Sequence, residues 1–123
     1  MPLKILVMDD DVEVRESLVI SMEDEGFDVS QVGSSEEALA WLDENYADLV
    51  VVDLRLPGMD GPEFIREASK RYADLKYIVY TGSPEFHIPA ELATVPAVSN
   101  SIFLKPLSEF EGMFSEIKRL LGE

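Results

Sequence analysis

Asp9, Asp10 and Asp11 follow the apolar run ILVM, Asp53 follows LVVV, Thr81 follows YIVY, and Lys105, with Pro106 behind it, follows IFL. In an open parallel α/β sheet, ligands bind at the carboxyl ends of the strands, near the point where strand order reverses. If these runs are strands of one sheet, several carboxylates, a hydroxyl and an ammonium converge there from four strands. Carboxylates brought close together repel, so either a pKa rises or a cation neutralises them. A hard divalent cation is the economical answer. Mg²⁺ prefers oxygen ligands, keeps several waters, and takes one or two carboxylates together with substrate phosphate oxygens. The chemistry indicated is phosphoryl transfer, which asks of a protein in-line positioning and neutralisation of charge on the equatorial oxygens. Mg²⁺, Lys105 and the Thr81 hydroxyl are suited to that neutralisation, and Asp53 is the natural nucleophile.

The elements that must position these residues are legible as a repeating pattern. Apolar runs at Leu3 to Met8, Phe27 to Val32, Leu49 to Val52, Tyr77 to Tyr80 and Ile102 to Leu104 have the continuous hydrophobicity of strands covered on both faces. Helical stretches separate them at Asp11 to Glu25, Ser35 to Asn45, Gly61 to Tyr72, Ala90 to Val95 and Glu109 to Leu121. The alternation implies a parallel sheet with right-handed crossovers. Capping-box spacing recurs at Ser34 with Glu37, Asp60 with Glu63 and Ser108 with Glu111. Gly26 falls where the first helix needs a left-handed residue, and Pro62 falls in the first turn of the third. The fourth crossover is punctuated by Pro84, Pro89 and Pro96, which leaves room for a short or displaced helix only.

Composition closes off other chemistries. A chain of 123 residues with 46% hydrophobic content is expected to form one domain over residues 1–123. There is no cysteine and a single histidine, His87, so thiol nucleophiles, Cys-based zinc sites and multi-histidine metal sites are excluded. His87 lies in a Pro-bounded loop and is assigned no role. A net charge of −15 repels nucleic-acid backbones, so any DNA-binding output is expected from another chain. No apolar run approaches the ~18 residues of a membrane span, and acid follows the first strand too soon for a signal peptide. A cytoplasmic location is the expectation. Trp41 and the methionines read as packing residues.

Taken together, ILVMDDD at the first strand, VVDLRLPGMDG at the third, VYTG at the fourth and FLKP at the fifth resemble the receiver domains of bacterial two-component response regulators, of the single-domain CheY-like kind. The resemblance runs over essentially the whole chain. It implies a doubly wound (βα)5 flavodoxin-like fold whose five-stranded parallel sheet has the order 2-1-3-4-5. It implies that Asp53 is the phosphoacceptor, that Asp10 ligates Mg²⁺ directly, and that Asp9 supports the metal through water. A metal contact from the Arg55 backbone carbonyl, phosphoryl contacts from Thr81 and Lys105, and a cis bond before Pro106 are implied as well. The implied donor is a phosphohistidine on a sensor histidine kinase or histidine phosphotransfer protein, with an output protein or domain downstream. Such a chain is a signalling switch rather than an enzyme.

Two departures from the family pattern stand out. Receivers commonly carry an aromatic residue three places before the lysine, where this chain has Ile102, and Val98-Ser99 replaces the usual Gly-Ala. With no ring to swing at Ile102, the expected output route is a population shift of the segment from Pro84 to Pro96, which carries Phe86, Ile88, Leu92 and Val95.

Each site residue also has an ordinary role open to it. Asp10, with Glu13 three residues on, has the spacing of a helix cap; Asp53 can start a turn, and Lys105 can be a solvated cation. Their joint placement at strand ends favours one site. A phosphatase of the haloacid dehalogenase type would need Thr or Val where Glu13 or Pro57 stands. A flavodoxin-like electron carrier would meet its flavin phosphate with DDDVE, which repels it. A pseudo-receiver, which binds a partner without being phosphorylated, is the remaining alternative.

Overall fold

Strands built from unbroken Val, Ile and Leu must be covered on both faces, and that requirement organises the chain. The structure, a computed structural model, describes residues 2–82, 89–93, 95–105, 107 and 109–122. Its elements run β1 (Lys4–Met8), α1 (Val12–Glu25), β2 (Asp28–Val32), α2 (Ser35–Glu44), β3 (Leu49–Val52), α3 (Gly61–Arg71), β4 (Lys76–Thr81), α4 (Ala90–Ala93), β5 (Val98–Leu104) and α5 (Glu111–Leu120). All strand pairs are parallel and the sheet order is β2-β1-β3-β4-β5, as the resemblance implies. Order reverses at β1, beside β3, and so the acids of those two strands are neighbours.

Successive side chains point to opposite faces, which divides the core in two. Leu6, Met8, Val50, Val52 and Tyr77 pack beneath Ala38, Leu39 and Leu42 of α2 and Phe64, Ile65 and Ala68 of α3. Ile5, Val7, Leu49, Val51, Ile78 and Tyr80 pack against Leu18, Val19 and Met22 of α1 and Met113, Phe114 and Ile117 of α5. Met8, Met22 and Met113 are fully buried and Trp41 packs on the first cluster, in keeping with packing roles. Among the described residues no helix is long and apolar enough to cross a membrane.

The caps follow the sequence signals in two places. Ser34 accepts the Glu37 N–H at 3.1 Å, and Asp60 accepts the Glu63 N–H at 3.0 Å with Pro62 in the first turn behind it. Gly26 ends α1 at φ 100°, where a side chain would be strained. The first helix corrects the reading of Asp10 as a cap: Asp11 takes that place and accepts the Val14 N–H at 3.2 Å. Asp10 is thereby left for other work. Asp11→Ala should lower the unfolding free energy by about 1 kcal/mol, read from urea midpoints; an unchanged midpoint would mean that water caps the helix as well as the carboxylate does.

Two elements start more than one residue away from expectation. β5 begins at Val98 rather than Ile102, with a register shift against β4 between the Tyr77–Val98 and Val79–Ile102 pairs. The polar residues Ser99 to Ser101 fall in that irregularity and hide the strand from a hydrophobicity reading. α5 begins at Glu111 with Phe110 at its cap position and no side-chain cap bond, so the expected Ser108 box does not start the helix; Ser108 itself lies outside the described residues. The short fourth helix is as expected. Its described part is not loosely attached, however, since Leu92 is buried in the core and Val95 packs beside it. Phe86, His87 and Ile88 lie outside the described residues, as does Pro106 with the bond before it.

Candidate acidic site at the carboxyl edge of the sheet

Strand ends β1 and β3 deliver Asp9 and Asp53 side by side, since Met8 is paired with Val52 immediately before them. Carboxylate oxygens of Asp9, Asp10 and Asp53 all lie within 4.8 Å of one another. Asp9 and Asp53 are 3% and 6% exposed, whereas Asp10 is exposed. Lys105 reaches in from the end of β5 and places Nζ 2.5 Å from Asp9 Oδ2 and 2.9 Å from Asp53 Oδ2. The same Nζ lies over the Tyr80 ring, 5.6 Å from its centroid.

Asp9 is anchored on every side. Its backbone N–H donates to the Val32 carbonyl, its own carbonyl accepts from the Arg15 guanidinium at 2.7 Å, and its Oδ1 accepts the Asp11 N–H at 2.9 Å. Arg15 is in turn held by Gln31 of β2 at 2.8 Å. Burial pushes the Asp9 carboxyl above its usual range, and the nearby Asp53 charge adds to this, while Lys105 and the Asp11 N–H offset part of it. Burial opposes the charge of Lys105, but hydrogen bonds to Asp9 and Asp53 outweigh it and hold the ammonium above its ordinary value. Lys105 is therefore a fixed cation within the cluster.

Asp53 Oδ1 accepts the Arg55 N–H at 3.1 Å, so the main chain after β3 turns back over the carboxylate. That turn is closed by the Gly61 N–H donating to the Leu54 carbonyl at 3.1 Å. Gly58 has φ 74°, a left-handed residue within the loop. Gly61 is required by proximity, because a Cβ there would lie 2.5 Å from the Asp53 carbonyl oxygen. Thr81 ends β4 fully buried, and its carbonyl accepts the Lys105 N–H at 2.9 Å, which ties the hydroxyl-bearing and ammonium-bearing strand ends together.

The sequence-predicted residues Asp9, Asp10, Asp53 and Lys105 are thus brought together, with Thr81 and Arg55 at adjoining backbone positions. Asp11 is not part of the cluster. Ser35 and Glu36 were not anticipated: both bind Met59 in the loop after β3. The Ser99 hydroxyl was not anticipated either; it donates to Glu116 of α5, which Arg119 grips through two nitrogens. The Arg119 bonds chiefly, with that of Ser99, hold the Glu116 carboxyl below its usual range.

A doubly wound parallel sheet with acids at its reversal point and a lysine from its last strand puts a charged site where folds of this class bind their ligands. The family profile described as "Response regulator receiver domain" matches residues 5–112, and the chain belongs to this family. Response regulator MprA of Mycobacterium sp. (strain KMS) is 33% identical over 121 residues, covering 98% of this chain and 51% of that protein. A CheY-like receiver domain protein from Methanospirillum hungatei superposes with a TM-score of 0.85 at 26% identity, covering 99% of this chain and 95% of the other. The response regulator TrrA of Thermotoga maritima, solved in complex with Mg²⁺–BeF, gives a TM-score of 0.82 at 27% identity, covering 96% and 98%. The chain spans about half or less of the length of the curated relatives it matches, 51% in one case and 22% in another.

Proposed function

We propose that this chain is a phosphorylation switch in which Asp53 accepts a phosphoryl group from a phosphohistidine on a sensor histidine kinase or phosphotransfer protein. The supporting observation is the group of three carboxylates within 4.8 Å, built around Asp53 with one lysine reaching both buried members. A carboxylate oxygen of Asp53 forms the new O–P bond as the P–N bond of the donor breaks, and the departing imidazole keeps the bonding electron pair and is neutralised by a proton on its ring, its own or one taken from solvent. Lys105 lies where charge on the transferred oxygens needs a partner, and Thr81 stands at the neighbouring strand end.

The donor set fits Mg²⁺, a hard cation that takes carboxylate and carbonyl oxygens. Asp10 and Asp53 would hold the ion by their carboxylates, Asp9 would support it through water, and the Arg55 carbonyl would complete the protein's share. When bound, the metal supplies charge neutralisation at the phosphoryl oxygens. TrrA, solved with Mg²⁺–BeF, lends this assignment support by similarity. The switch then acts on an output protein or domain in the cytoplasm. The chain's own charge of −15 disfavours direct contact with nucleic acid.

Intact mass after incubation with a small phosphodonor and Mg²⁺ should show one added phosphoryl group, lost when the metal is chelated. Asp10→Ala should weaken Mg²⁺ binding in calorimetry by more than about tenfold, without lowering the melting temperature of the metal-free chain, because Asp10 is exposed. A parent chain that binds Mg²⁺ but takes no label would favour the pseudo-receiver reading. Undiminished affinity in Asp10→Ala would remove that residue from the ligand set.

A further inference from the structure

The loop between β3 and α3 begins against Asp53 through the Arg55 N–H, but its far limb is held by a different helix. Ser35, the first residue of α2 and fully buried, donates its hydroxyl to the Met59 carbonyl at 2.7 Å. The next side chain, Glu36, accepts the Met59 N–H at 3.2 Å. Both main-chain polar groups of one loop residue are therefore satisfied by two consecutive side chains across the groove. Glu36 also lies close over the left-handed Gly58, where a Cβ would be 3.1 Å from its Oε2.

Neither contact serves α2 itself. The helix is already capped by Ser34, whose hydroxyl oxygen accepts the Glu37 N–H, while Glu37 Oε2 accepts from the Ser34 hydroxyl and the Gly33 N–H. A hydroxyl with no exposure and no part in its own cap is explained by what it holds. We propose that Ser35 and Glu36 are positioning residues for the acidic site, holding the β3–α3 loop in the shape that presents the Arg55 main chain to the metal. This deepens the receiver reading and rests on it. A loop has no ladder of its own to fix its backbone groups, and metal affinity depends on groups that orient the ligands. Releasing Met59 lets the limb beyond Arg55 sample other shapes, so part of the metal's binding free energy goes into ordering it.

The test uses the full chain and the variants Ser35→Ala, Glu36→Ala and Glu36→Gln, titrated with Mg²⁺ in a calorimeter. Phosphorylation rates at limiting and saturating Mg²⁺ and metal-free melting temperatures accompany the titration. Ser35→Ala and Glu36→Ala should each bind Mg²⁺ about fivefold more weakly, while Glu36→Gln, whose amide oxygen still accepts from Met59, stays within about twofold of the parent. The rate deficit should shrink at saturating Mg²⁺. Parent-like affinity in all three variants, even with lowered melting temperatures, would make the contacts purely structural and overturn the proposal. A parent chain that binds no Mg²⁺ would overturn the receiver reading itself, and this inference with it, before any variant is compared.

Discussion

Asp53→Asn should take up no phosphoryl group from a small phosphodonor in the presence of Mg²⁺, while retaining the fold. The substitution is nearly isosteric, but a neutral amide oxygen is a poor nucleophile and the metal loses an anionic ligand. The fold should survive for local reasons. An amide oxygen can still accept the Arg55 N–H now made by Oδ1, and Lys105 keeps its 2.5 Å partner Asp9. What is lost is the second anion beside Lys105, and the repulsion between Asp9 and Asp53 is lost with it. Intact mass and peptide mapping decide the outcome: persistent label, mapped to Asp9 or Asp10, would sink the assignment of Asp53.

The largest effect on stability should come from Gly61→Ala. A Cβ at this position would lie 2.5 Å from the Asp53 carbonyl oxygen, 2.7 Å from Leu54 Cα and 3.0 Å from Val52 Cγ1. Two of those atoms belong to backbone, so the site cannot yield by turning a side chain. The cost should exceed the roughly 1–3 kcal/mol typical of overpacking in a core, and relaxation would push Asp53 away from Lys105, weakening labelling as well. Gly112 makes the internal comparison. It sits within α5, its added Cβ would meet Phe103 alone among the described residues, at 3.8 Å, and Gly112→Ala should stabilise by about 0.5–1 kcal/mol. Urea midpoints that moved the same way in both variants would refute the steric argument.

Much of this architecture was legible because the chain repeats one local pattern. Unbroken apolar runs located β1, β3 and β4 to within a residue, and β3 without error. The acids beyond β1 and β3 were readable as one site because a parallel sheet brings those ends together whatever the loops do. The misses have physical causes. Asp10 and Asp11 both stand within capping distance of α1 by spacing, and only the backbone course chooses Asp11. The start of β5 was concealed by serines that occupy a register irregularity, where alternation carries no information. Ser35 and Met59 are 24 residues apart, and no periodicity announces a side chain that reaches across to another element's loop. The same holds for Ser99 and Glu116, joined across 17 residues where the family pattern has alanine in place of the serine.

The uneven exposure of the acids sets a direction of approach. Asp9, Asp53 and Thr81 are 3%, 6% and 0% exposed, and Lys105 closes over the first two from the β5 side. Asp10, a member of the same carboxylate group, and Arg55, two residues beyond Asp53, are exposed and stand in solvent. A cation arriving from solution therefore meets the exposed Asp10 before the buried Asp9 and Asp53.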